Sequence, residues 1–178
     1  MINKTMFISK AINHTFKKEY FFIKGKINLE SNYFIEKIKN SCSSDNNLNF
    51  KTNIKGLMTP WNFFVNDKNF INLAQLFVDY IDANYKNNQY YLKDAWGFEI
   101  KPNQKTIYHA HNEASWCGVI YLNNCQQLLN FPEITENVKP EPGSFALFSP
   151  FLNHGCEKNY DSTSKFGISF NMYETKYW

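Results

Sequence analysis

The sequence predicts a single, mainly β domain, an antiparallel sandwich or barrel flanked on its N-terminal side by helices. Three observations carry this. At 178 residues the chain has room for one sizeable core and not comfortably for two. From about Tyr90 onward, short runs rich in Ile, Val, Phe, Tyr and Trp are separated by Pro, Asn and Gly, with no helical period between them. Ahead of that point, apolar residues recur at helical spacing.

The elements follow in order. Phe34, Ile35 and Ile38 mark one helix face, and the polar run Ser41, Cys42, Ser43, Ser44, Asp45, Asn46, Asn47 reads as a loop after it. A cleaner amphipathic stripe, Phe70, Leu73, Phe77, Tyr80 and Ile81, predicts a second helix with Asn66 or Asp67 as its cap. Strands are expected over 95–100, 106–111, 117–122, 127–131, 144–148 and 165–173. The domain thus divides into a helical buttress over about 1–90 and a β core over about 91–178, whose open end could hold a small ligand.

Composition narrows the function classes. With 43% hydrophobic, 18% aromatic and 20% charged residues, the chain is neither disordered nor collagen-like nor a coiled coil. No run approaches the roughly 18 to 20 apolar residues of a membrane span, and the start lacks the apolar stretch of a signal peptide, so a cytoplasmic protein without membrane partners is expected. Cys42, Cys117, Cys125 and Cys156 show no CxxC or finger spacing and read as reduced thiols. The net charge of +3 is spread without a basic block, which favours a protein side chain or small metabolite over nucleic acid as partner. All 19 basic residues are lysine, so any side-chain anion grip here must be an ammonium.

Three of the four histidines, His109, His111 and His154, lie in the strand-rich half, while His14 sits near the terminus and reads as structural or solvent-facing. On a strand over 106–111, His109 and His111 leave the same face with Cα atoms roughly 6.6 Å apart. Two imidazoles so placed can meet one cation at about 2.0 to 2.2 Å. A third ligand must come from another strand, and the run Gly143 to His154 supplies a turn, an apolar strand and a histidine beyond it. Imidazole suits iron, copper, nickel and zinc, so residue types leave the metal open, and packed, hydrogen-bonded histidines are the plain alternative.

The surrounding pattern resembles a known family. The run His109 to Leu122 (HAHNEASWCGVIYL) is similar to the HxH, small-polar loop, SGVYYL block of phage and bacterial iron(II)/2-oxoglutarate oxygenases. Pro142-Gly143, Phe148-Ser149-Pro150, His154 and Gly167-Ile168-Ser169-Phe170-Asn171 resemble that family's later blocks in the same order, and Ala95-Trp96-Gly97 its strand before HxH. The resemblance covers roughly the C-terminal half. It implies a double-stranded β-helix, a cupin-like jelly roll, using Fe(II) and 2-oxoglutarate, with hydroxylation of an unknown substrate as the default outcome. It further implies His109, His111 and His154 as ligands, whose affinity for iron falls as protons compete at low pH.

Two departures stand out. Oxygenases of this superfamily usually hold iron with two histidines and a carboxylate, and this chain has His111 where HxD would place Asp. Either three histidines serve, or the register shifts to His111-Asn112-Glu113 and Glu113 ligates; spacing to Gly118 favours the first. An open position beside Ala110 or His111 for a halide is a further variant. The family's Arg at the start of the last strand aligns with Lys165, which as a point charge would grip the far carboxylate of 2-oxoglutarate with help from Tyr121 and Ser169. Lys165, Gly167, Ser169 and Asn171 share one strand face by alternation. Trp96, Phe98, Phe145, Phe148, Phe166 and Phe170 read as core. Two other functions compete: a non-catalytic jelly-roll binding or viral structural module, and a three-histidine dioxygenase that uses no 2-oxoglutarate.

Overall fold

The computed structural model describes residues 20–44, 53–85 and 89–175. In chain order these form β1 (Phe22–Lys26), α1 (Ser31–Ser44), β2 (Ile54–Lys55), β3 (Leu57–Met58), α2 (Lys68–Asn84), β4 (Tyr90–Ile100), β5 (Lys105–His109), β6 (Trp116–Tyr121), β7 (Leu129–Phe131), β8 (Glu136–Val138), β9 (Ser144–Phe148), β10 (His154–Cys156) and β11 (Lys165–Glu174). His14 lies outside the described residues. Among those described, no helix is long and apolar enough to cross a membrane.

Two antiparallel sheets face each other. The larger runs β1-β9-β6-β11-β4-β3 and the smaller β2-β5-β10-β7-β8. The last strand, β11, is therefore internal to its sheet, paired along its length with β4 and with β6. Strand period two sorts its residues cleanly. Phe166, Ile168, Phe170 and Met172 point outward into a core shared with the helices, where Phe170 stacks on Phe77 at 5.6 Å and 11° and meets Phe70 edge-on at 5.6 Å. Lys165, Ser169 and Asn171 point inward to a cavity between the sheets. The neighbouring β6 does the same, with Ile120 outward and Cys117, Val119 and Tyr121 inward.

The helices cover the larger sheet because their apolar stripes match its outer face: Phe34 and Ile38 from α1, with Phe70, Ala74, Phe77 and Ile81 from α2, are all buried there. Asp67 caps α2, accepting from the amides of Asn69 and Phe70 at 3.0 Å each. It also accepts from the Tyr33 hydroxyl at 2.9 Å and from Lys37, both on α1, so one carboxylate ties the two helices together. Burial pushes this carboxyl up, but Lys37, the Phe70 amide and Tyr33 outweigh it and hold the group below the usual range. Gly143, at φ +81°, donates to the Tyr121 carbonyl and accepts from Ile27, each at 2.9 Å. A Cβ there would fall 1.9 Å from the Ile27 oxygen, so the turn leading into β9 has no room for a side chain.

The structure departs from the expected elements in three respects. The stretch expected to be a helical buttress also supplies β1, β2 and β3; two of these have two residues each, too short for any periodicity to register. Helix α1 continues through Ser44, past where the polar run suggested a loop. Strand β5 stops at His109, leaving Ala110 and His111 beyond its end, because residues 112 and 113 turn the chain into the connection to β6.

Replacing Asp67 by Ala removes a cap and both links to α1. It should lower stability by about 1–3 kcal/mol, seen as a fall in thermal midpoint, while Asp67→Asn, which keeps a capping oxygen, should lose less.

Candidate metal and anion site

Strand pairing brings the first two imidazoles together. His109 ends β5 and His154 begins β10, and the two are cross-strand partners with ring centroids 4.4 Å apart. His111 arrives differently. Its amide donates to the Pro150 carbonyl at 2.7 Å, tying the turn after β5 to the turn before β10. This places its ring 5.0 Å from that of His109 and 5.3 Å from that of His154. One ring nitrogen from each lies within 4.8 Å of the others, near enough for small side-chain rotations to direct three lone pairs at one ion at about 2.0–2.1 Å.

The protonation pattern suits a cation. Nδ1 of His109 lies 2.7 Å from the Ile107 carbonyl, and Nδ1 of His154 lies 2.9 Å from that of Leu152. A carbonyl only accepts, so each Nδ1 carries the proton and each Nε2 keeps its lone pair. Burial and the neighbouring histidines push His154 down to about 3; burial and His109 push His111 down to about 4; burial lowers His109 against the opposing pull of the Ile107 carbonyl. Three neutral imidazoles, one of them packed between Phe131 and Phe148, thus converge at neutral pH.

Glu113 does not join them. It is exposed in the turn after His111 and lies outside the convergent group, although its sequence distance from His111 allowed the alternative ligand set. Sharing a strand face was the premise for that register, and β5 has ended before either residue.

The histidines open onto the cavity between the sheets, about 300 Å³ in volume. Lys165 lines it and is 1% exposed. Its Nζ donates to the Gln127 carbonyl at 3.4 Å and the Cys156 sulfur at 3.2 Å, and lies 5.5 Å from the Tyr121 ring centroid. No acidic side chain among the described residues pairs with it. One long contact to a carbonyl and one contact to sulfur, a weak acceptor, leave a buried ammonium without a counter-charge, a costly arrangement that an anion in the cavity would relieve. Tyr121, fully buried, is raised well above the usual phenol range chiefly by burial, so its hydroxyl keeps its proton and can donate. Ser169 and Asn171 line the same space two and three alternations along from Lys165.

Other lining residues were not singled out by sequence reasoning for the site. Trp96, read as core, is buried but faces the cavity, with Trp61 beside it. Cys156, read as a reduced thiol, is also a neighbour of the lysine. Alternation along β4 groups Trp96 with Phe98 and Ile100, but nothing in the pattern tells which strand face meets helices and which meets a cavity.

In sequence, no protein-family model matches the chain, and no curated protein matches it either. Solved structures do. The 2-oxoglutarate complex of the viral collagen prolyl hydroxylase of Paramecium bursaria Chlorella virus 1 superposes with a TM-score of 0.63 at 16% identity, covering 87% of this chain and 96% of that one. A Pseudomonas putida prolyl-4-hydroxylase gives 0.65 at 11% identity over 87% and 93%. HygX from Streptomyces hygroscopicus, with nickel, 2-oxoglutarate and hygromycin B bound, gives 0.64 at 13% identity over 88% and 83%. At such identities the likeness is one of architecture: the chain has the jelly-roll fold on which these 2-oxoglutarate oxygenases are built.

Proposed function

We propose that the protein is an Fe(II)- and 2-oxoglutarate-dependent oxygenase, acting as a hydroxylase. The observation that carries this is the joint presence, in one cavity, of three convergent neutral imidazoles and a buried lysine with no anionic partner among the described residues. The donor set fits both groups: His109, His111 and His154 offer lone pairs to a divalent metal, and Lys165 and Tyr121 offer donors to a carboxylate. The fold shared with 2-oxoglutarate oxygenases supports the same reading. Bound there, iron and 2-oxoglutarate would supply the oxidising chemistry, in which O₂ and the keto acid are converted to succinate and CO₂ as a C–H bond of the substrate is hydroxylated.

The chain's own residues have separate tasks. The Ile107 and Leu152 carbonyls fix the tautomers of His109 and His154, which leaves Nε2 of each with a lone pair for a metal. Lys165 supplies charge to a carboxylate at the closed end of the cavity, and Tyr121, with Ser169 further along the same space, supplies hydroxyls. Phe98, Leu129 and Phe148 line the remaining wall with hydrocarbon and keep water out of a place where reactive chemistry would otherwise leak.

The metal arm is tested on the purified protein under anaerobic conditions. Fe(II) should raise the thermal midpoint, and His154→Ala should cut its affinity by about 100-fold or more, at least the cost of disturbing a ligand's supporting hydrogen bond. The cosubstrate arm is tested with Lys165→Met, which keeps the volume and removes the charge. It should weaken 2-oxoglutarate binding about 10- to 100-fold, the loss of a charged hydrogen bond worth roughly 1.5–3 kcal/mol, while Fe(II) binding stays unchanged. Turnover indifferent both to 2-oxoglutarate and to Lys165→Met would instead establish the three-histidine dioxygenase.

Acid lability follows from the histidines. An unfolded histidine titrates near 6.5, whereas His111 and His154 stay neutral to about 4 and about 3 in the folded protein. Above about pH 6.5 neither state gains protons at these sites; below it the unfolded chain takes up protons that the folded site refuses. The contribution to metal-free stability should therefore be flat at neutral pH and fall by up to about 1.4 kcal/mol per pH unit per histidine as pH drops toward 4. Denaturant unfolding across that range, compared with His111→Gln, measures the slope.

A further inference from the structure

Two free thiols line the cavity, Cys117 on β6 and Cys156 on β10, and they keep different company. Cys117 lies opposite Asn171 on β11, whereas Lys165 is at the start of that strand, roughly 20 Å away. Cys156 has the lysine against it, its Sγ accepting from Nζ at 3.2 Å. Strand register makes this contact. Cys156 follows His154 on β10, opposite Thr106 in the smaller sheet, and Lys165 opens β11, opposite Ile100 in the larger one, so the amine reaches from one sheet to a sulfur on the other. The two residues are 3% and 1% exposed, and close packing holds such side chains in place.

The chemistry of the pair follows from that contact. A thiol oxidised once becomes a sulfenic acid, whose sulfur is open to attack by a thiol or a nitrogen in reach. Cys125 is engaged elsewhere, donating to Oδ1 of Asn159 at 3.6 Å. For Cys156 the nucleophile in contact is the lysine nitrogen. A small oxidant has room to arrive: the cavity, about 300 Å³, is about ten times the roughly 30 Å³ share of a water molecule, and Trp61, 42% exposed, lines its solvent side.

We propose that Cys156 and Lys165 form a redox-controlled modification site, in which hydrogen peroxide joins Sγ to Nζ through a covalent S–N bond and removes the positive charge from the cavity. In the first step the thiol takes one oxygen from peroxide, giving the sulfenic acid and water. In the second Nζ attacks the sulfur, the S–N bond forms and the S–O bond breaks. The departing hydroxide leaves as water with one ammonium proton, and another proton goes to solvent. Sulfur has then lost two electrons and peroxide has become two waters. An external dithiol reverses the step, restoring thiol and amine as it is oxidised to a disulfide. The bond stands on the contact alone; its consequence, loss of the grip on 2-oxoglutarate, rests on the reading of the cavity as the oxygenase active site.

The test treats reduced, metal-free, full-length protein with hydrogen peroxide, removes the oxidant, denatures and alkylates. Trypsin cuts after Lys158, between the two residues, so the bond appears in mass spectra as a linked pair of peptides, lighter by two hydrogens than the reduced pair. The expected result is that pair in the wild type, its disappearance with dithiothreitol, and its absence from Cys156→Ser and Lys165→Met. Cys117, which meets the same cavity without an amine, should show no such link. Recovery of Cys156 as the alkylated thiol or as sulfinic acid, with Lys165 unmodified, overturns the proposal; the wild type alone decides this, so a poorly folded variant leaves the result intact. Binding of 2-oxoglutarate, measured anaerobically after Fe(II) loading, should fall about 10- to 100-fold in the linked protein, recover with dithiothreitol, and not respond to peroxide pretreatment in Cys156→Ser. A linked protein that binds 2-oxoglutarate as the reduced one does overturns the control of the site. Reduced protein that forms the link but never binds 2-oxoglutarate counts against the oxygenase reading and leaves the modification site standing.

Discussion

The pairing of His109 with His154 across two short strands is the constraint on which the site depends. Each residue sits at a strand terminus, β5 ending and β10 beginning, so antiparallel register alone sets one ring beside the other. That register is held in the smaller sheet, where β10 lies between β5 and β7. The third ring is added by one backbone hydrogen bond, His111 to Pro150, between the two turns that leave these strands. Convergence is therefore a property of the backbone, and the Nδ1 contacts to carbonyls two residues earlier then orient the two paired rings.

A three-imidazole site differs in charge from one that includes a carboxylate. Neutral ligands leave a divalent ion with its full charge, and Lys165 adds a further positive group to the same cavity. A dianion is the complement of such a space, since it neutralises both ends at once, and the absence of acidic residues from the described lining keeps any competing internal partner away. In the proposed reading, a lysine where the resembled family has arginine would narrow the grip from a planar fork to a point and leave the nearby hydroxyl of Tyr121 to supply a second donor.

Much of this arrangement was legible in the sequence, and what was not has identifiable causes. The stripes of α1 and α2 announced themselves by their helical period, and β4, β6, β9 and β11 as runs rich in β-branched and aromatic residues between turn residues. The two-residue strands β2 and β3 and the three-residue β10 are too short to do so; they exist because a neighbouring strand offers hydrogen bonds, a fact of tertiary structure. His154 was visible as a residue but not as a strand residue for this reason. His111 was assigned to the right neighbourhood on the wrong premise, since a turn contact and not strand alternation delivers it.

The position of β11 bears on how the molecule is assembled during synthesis. Among the described strands, the last in sequence, β11, lies between β6 and β4, and the first, β1, pairs with β9 more than a hundred residues later, with Phe22 opposite Phe148. Non-local pairing of this kind slows the search for the native state. Until β11 inserts, the inner edges of β4 and β6 lack a partner and the outer surfaces of Phe70 and Phe77 lack Phe170. The same strand brings Lys165, so its side chain joins the cavity only with the strand that closes the larger sheet.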